Sequence, residues 1–93
     1  MPSEEPPQLS GRHRDTLAKI FLHPVSHNIE WRRVIALLEE AGTVRERRDG
    51  KLEVSVGSAA SVLEPPRGKD LTVQQVLDVR RMLATAGYGE GGE

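Results

Sequence analysis

Val44-Arg45-Glu46-Arg47-Arg48-Asp49-Gly50-Lys51-Leu52-Glu53-Val54-Ser55-Val56, followed by Gly57-Ser58 and Ala59-Ala60-Ser61-Val62-Leu63, is the stretch whose reading decides the fold. From Leu52 onward, apolar residues alternate with charged or polar ones, the period of a strand buried on one face. Asp49-Gly50 is a hairpin signal, because glycine supplies the positive φ of a tight turn. Gly57-Ser58 marks a second break. The pattern predicts three antiparallel strands in a meander over residues 44–63, with Leu52, Val54 and Val56 turned toward a core. A sheet this small cannot bury its apolar face alone, so helices must cover it. Arg45 and Arg47 fall on one face of the first strand, and Glu46 and Arg48 on the other. With Val44 as its only apolar residue, that strand reads as a charged edge.

Working outward, Trp31, Val34, Ile35, Leu38 and Ala41 repeat at helical spacing just before the sheet. Asn28 is the expected N-cap, Gly42 the expected left-handed stop, and Trp31 the expected core anchor. Further upstream, Ser10 fits the cap of a first helix carrying Leu17, Ile20 and Phe21, which His23-Pro24 ends. After the sheet, Glu64-Pro65-Pro66-Arg67-Gly68-Lys69-Asp70 reads as an irregular basic loop. Thr72 with Gln75 three residues on has capping-box spacing. Val73, Val76, Leu77, Arg80, Leu83 and Ala84 then form one helical face, closed by Gly87, with Tyr88 folding back on the core. The expected order is α-α-β-β-β-α, an α+β class in one domain over residues 10–88. Residues 1–9 and 89–93 are rich in Pro, Gly and Glu and are expected to be disordered tails.

Composition excludes several classes of function. There are 93 residues and no cysteine, so disulfide staples, thiolate metal sites and a cysteine nucleophile are ruled out. No apolar run is long enough to span a bilayer and no secretory leader is visible, so the expectation is a cytoplasmic protein without membrane contact. The formal net charge is −1, so no whole-molecule field draws the chain to nucleic acid. Residues 43–81 nevertheless hold eight basic and six acidic side chains.

Asn28-Ile29-Glu30-Trp31, Leu37-Leu38-Glu39-Glu40-Ala41-Gly42, the turn Asp49-Gly50-Lys51, the loop Glu64-Pro65-Pro66-Arg67-Gly68-Lys69-Asp70 and the last helix together resemble the HicA family of toxin–antitoxin proteins. The resemblance covers residues 28–88 and leaves the first helix as an extension. It implies a fold like that of double-stranded-RNA-binding domains, an RNA ligand, and a partner of antitoxin type. Members of that family carry a catalytic histidine in the second strand after a Gly-Ser pair. Here Gly50 is followed by Lys51 and Leu52. Many also place a histidine in the loop before the last helix, where this chain has Pro65-Pro66-Arg67. General acid–base cleavage of RNA calls for a group that titrates near neutrality, which a protonated lysine does not do. The resemblance therefore implies the fold and an RNA-related ancestry, not the family's catalysis.

The candidate RNA-binding residues are Arg45, Arg47, Arg48, Lys51, Arg67 and Lys69, because double-stranded RNA is read largely by shape and backbone contacts. The competing reading is a solvated sheet edge blunted by charge, favoured by the interspersed Glu46, Asp49 and Glu53. No aromatic residue interleaves the cations, which argues against a stacking platform for single strands. An active ribonuclease would have to use a displaced group, and His27 is the one sensible base. A third reading is a protein-interaction module, docking through its first helix. His23 and His27 lie four apart, but Pro24 interrupts them and only Glu30 is near, so no metal or cofactor is expected.

Overall fold

The computed structural model describes residues 9–26 and 28–88. Its elements are α1 (Gly11–Ile20), α2 (Trp31–Ala41), β1 (Thr43–Glu46), β2 (Leu52–Val56), β3 (Ala59–Leu63) and α3 (Val73–Thr85). This is the expected α-α-β-β-β-α order of an α+β protein. Of the tails expected at 1–9 and 89–93, residues 1–8 and 89–93 lie outside the described residues, as does the candidate base His27. Leu9, expected in the first tail, is buried in the core.

The sheet is an antiparallel meander in the order β1-β2-β3. Val54 and Val56 are 1 % exposed, and Leu52 packs at the margin of the core. α2 lies against β1 and β2, α3 lies against β3, and α1 packs across α2 and α3. One face of the sheet is thus roofed by two helices, with the third helix resting on those two. No helix among the described residues is long and apolar enough to cross a membrane.

Two glycines set the turns. Gly50 has φ 87° and its N–H donates to Arg47 O at 3.1 Å, while Arg47 N–H donates to Lys51 O at 2.8 Å. A turn closed by a left-handed glycine is the usual three-residue hairpin geometry. Asp49 fastens it, its Oδ1 accepting from Lys51 N–H at 3.1 Å. β1 accordingly ends at Glu46 rather than running on to Arg48. Gly57 has φ 59° at the first position of the two-residue β2–β3 turn, where glycine is favoured.

The helix ends correct several expectations. Ser10 precedes α1 but its side chain makes no cap bond; its N–H donates instead to Glu40 Oε1 at 3.0 Å, tying the start of α1 to α2. The N-cap of α2 is Glu30, not Asn28, whose Oδ1 accepts from Ser26 Oγ at 2.7 Å. Trp31 is the first residue of α2 and only partly buried. The core is anchored one turn later by Val34, Leu37 and Leu38, all fully buried, a stripe at i, i+3 and i+4. Gly42 is not left-handed: its φ is −162°, and glycine is needed there because a Cβ would overlap the Ser55 carbonyl oxygen of β2.

α3 begins with the expected capping box. Gln75 N–H donates to Thr72 Oγ1 at 3.1 Å and Thr72 N–H to Gln75 Oε1 at 2.9 Å. Its buried stripe is Val76, Val79, Met82 and Leu83, rotated from the expected face, so that Val73 and Ala84 are exposed. Gly87, with φ 102°, donates to Ala84 O, and Tyr88 N–H donates to Leu83 O at 2.9 Å. These paired bonds are the Schellman closure of a helix, and they turn Tyr88 back onto the core, 7 % exposed.

Candidate functional site

The β-pairing brings the basic hairpin and the basic loop together. Leu52 stands opposite Glu46 on one side and Leu63 on the other. The 47–51 turn and the 64–70 loop therefore leave the sheet from the same end. Arg45, Arg47, Arg48 and Lys51 belong to the first, Arg67 and Lys69 to the second.

These six cations divide into two sets. Arg45 lies opposite Glu53, its Nη2 3.3 Å from Glu53 Oε1. Arg47 Nε is 3.9 Å from the other oxygen of the same carboxylate, and its Nη2 is 3.4 Å from Asp49 Oδ2. Arg45 and Glu53 share the sheet face turned away from the helices, as strand alternation requires, and Arg47 reaches the same carboxylate from the turn. Glu53 is thereby engaged with arginines, and the Glu64 backbone oxygen accepts from Gln75 Nε2 at 2.7 Å. Lys69 Nζ is 3.9 Å from Glu30 Oε2. Arg48, Lys51 and Arg67 make no ion pair with any of the described residues, and Arg48 and Arg67 are exposed.

Lys69 leads to residues that sequence reasoning passed over. Glu30 and Asp70 form an isolated antiparallel bridge, with Trp31 N–H donating to Lys69 O at 2.7 Å and Leu71 N–H to Ile29 O at 2.9 Å. This pins the loop to the start of α2. Glu30 then stands among three cations: Arg32 Nε at 3.3 Å, Arg33 Nε at 3.6 Å and Lys69 Nζ at 3.9 Å. The Arg32 hydrogen bond, then the charges of Arg32, Lys69 and Arg33, hold the Glu30 carboxyl below the usual carboxylate range against the opposing effect of its partial desolvation. A single carboxylate answers three positive groups, so the cluster keeps an excess of positive charge.

Two concavities flank this cluster. A cleft of about 610 Å³ is bordered by Asp15, Lys19, Glu30, Arg33, Lys69 and Asp70, equal numbers of acids and bases. Asp70 Oδ1 is buried without a hydrogen-bond partner among the described residues. Among the described residues no group of three or more His, Asp or Glu side chains is placed to hold a metal ion. A second groove, of about 490 Å³, runs between α1 and α2 and is lined by Arg12, His13, Thr16, Arg32, Arg33 and Ala36. The one signal in the sequence for this groove is the recurrence of arginine at 12, 32 and 33. The crossing of α1 over α2 is needed to bring them together.

No family model, curated protein or solved structure matches this chain.

Proposed function

We propose that this chain is a small HicA-like RNA-binding module, of the double-stranded-RNA-binding-domain type and without nuclease activity. Its basic hairpin and the loop before α3 take the phosphates. The observation that carries the reading is the placement of Arg48, Lys51 and Arg67. They are cations without a carboxylate partner among the described residues, on two loops that leave the sheet from one end. Arg45, Arg47 and Lys69 sit beside them in solvent-exposed ion pairs. Such pairs are worth about 0–1 kcal/mol, so a phosphate oxygen can compete for them. In place of the family's catalytic histidine the chain has Lys51 and Leu52, which supports binding without cleavage.

The test is a titration of duplex RNA at low and raised salt, with the RNA checked for integrity afterwards. The contacts of Arg48, Lys51 and Arg67 contribute about −3 to the log–log salt slope. Replacing these three residues by glutamine removes that contribution, and the RNA remains intact. Absence of binding at low salt, or binding indifferent to salt, overturns the reading.

A second reading, a module pairing with an antitoxin-like protein, draws on β3. It is an edge strand without a charged residue, and its Val62 is 49 % exposed, whereas the β1 edge carries Arg45 and Glu46. An uncharged edge is open to the addition of a partner strand. Protection of the backbone amides of residues 59–63 from hydrogen exchange on adding an antitoxin-type partner, with no response to RNA, would favour it.

A further inference from the structure

We infer that the groove between α1 and α2 is a second phosphate-binding surface, which carries an RNA backbone beyond the hairpin and loop. This rests on the RNA-binding reading and extends it to α1, whose Arg12, His13 and Thr16 lie outside the stretch that resembles HicA proteins.

The groove is a concave surface lined by three guanidinium groups, an imidazole and two small side chains, with no carboxylate in its walls. Arg12 is exposed and makes no ion pair with any of the described residues. Arg32 and Arg33 share the single carboxylate of Glu30, and their side chains are 85 % and 54 % exposed. At the far end, Glu40 is occupied: its Oε1 accepts from Ser10 N–H at 3.0 Å and lies 3.7 Å from His13 Nε2. His13 Nδ1 is buried, without a hydrogen-bond partner among the described residues, so the ring shapes the wall of the groove and the guanidinium groups supply its donors. Thr16 is not a competing donor, because its hydroxyl is turned to Arg12 O at 3.3 Å.

Charge complementarity specifies the occupant. The forked guanidinium matches a phosphate better than a lysine ammonium does, and three of them in one groove fit a chain of phosphodiesters rather than an isolated anion. The groove is also continuous with the first surface. It shares Arg33 and Thr16 with the neighbouring cleft, which Lys69 borders, and Lys69 belongs to the same loop as Arg67. A backbone lying over Lys51, Arg67 and Lys69 can continue past Arg33 to Arg12.

The probe is a duplex RNA of about 16 base pairs, the span usual for a small double-stranded-RNA module, followed by fluorescence anisotropy over a range of salt. The R12Q/R33Q variant is compared with R14Q, a change on the exposed part of α1 outside the groove, and thermal melts confirm that both are folded. The groove variant is expected to bind about tenfold more weakly and to lose about 2 from the magnitude of the salt slope, one unit per phosphate contact. R14Q is expected to match the parent chain. If the parent chain binds RNA and R12Q/R33Q has the same affinity and slope as R14Q, the groove is not a phosphate surface, and the hairpin reading stands alone. If the parent chain does not bind duplex RNA at low salt, both readings fall together.

Discussion

Arg80 of α3 donates from Nε to the Ile20 carbonyl at 2.9 Å and from Nη2 to the Leu22 carbonyl at 2.8 Å. The guanidinium thus closes the C-terminus of a helix that lies sixty residues earlier in the chain, and it rests 6.0 Å from the centre of the Phe21 ring. Carbonyls at the end of α1 have no partner within the helix, and a cation there also suits the negative end of the helix dipole. Replacing Arg80 by alanine is expected to lower stability by about 2 kcal/mol, through the loss of charged hydrogen bonds. Lysine should restore only part of this, since an ammonium lacks the fork that reaches two carbonyls. The measurement is the urea midpoint of the three chains. Equal midpoints for the alanine and parent chains would remove the clamp.

Gly42 and Gly50 are required for different reasons, and their alanine variants should separate them. At Gly42 the backbone is extended, but an added Cβ would overlap Ser55 O and lie 3.0 Å from Val56 Cα. At Gly50 there is open space, and only the φ of 87° opposes a side chain. Gly50→Ala should cost about 1–2 kcal/mol, the ordinary penalty of left-handed backbone. Gly42→Ala must push β2 away from the end of α2, and should cost more than Gly50→Ala in the same denaturation experiment.

Tyr88 is the single tyrosine of the chain, so its phenolate absorbance can be followed without interference. Burial, and secondarily the negative charge of Glu40, raise its pKa above the ordinary 10.0. Because the folded value is the higher one, the associated stability is complete below pH 10 and is lost as pH rises through the folded pKa. A spectrophotometric titration should give a midpoint above 10.0, and Glu40→Gln should recover the smaller part of the shift.

The Glu30 carboxyl should titrate below its ordinary value of 4.5 when followed by NMR against pH. Here the folded value is the lower one, so the stabilising contribution is present above pH 4.5 and disappears as pH falls through the folded pKa. Arg32→Gln should raise the midpoint more than Arg33→Gln or Lys69→Gln, because the Arg32 hydrogen bond is the largest cause. An unchanged midpoint in Arg32→Gln would mean that the bond is not kept in solution.

The sequence alone determined the elements whose causes are local. Alternation from Leu52 to Val56, the glycines at 50 and 57, and the Thr72–Gln75 box act over two to four residues, so the strands, turns and start of α3 could be read directly. The same locality placed Arg45 on the face of β1 that carries Glu53 opposite it. Tertiary structure decided the rest, because it depends on which surfaces meet. The stripe on α3 follows the docking of α3 on β3, so Val79 and Met82 took the core positions that spacing alone had given to Leu77 and Ala84. Gly42 is fixed by the carbonyl of Ser55, thirteen positions away. Lys69 meets Glu30 only through the bridge between Glu30 and Asp70. The arginines at 12, 32 and 33 become one groove only where α1 packs on α2. The grouping of charges here is a property of distances between elements, and those distances are fixed by the apolar core, whose packing no local pattern encodes.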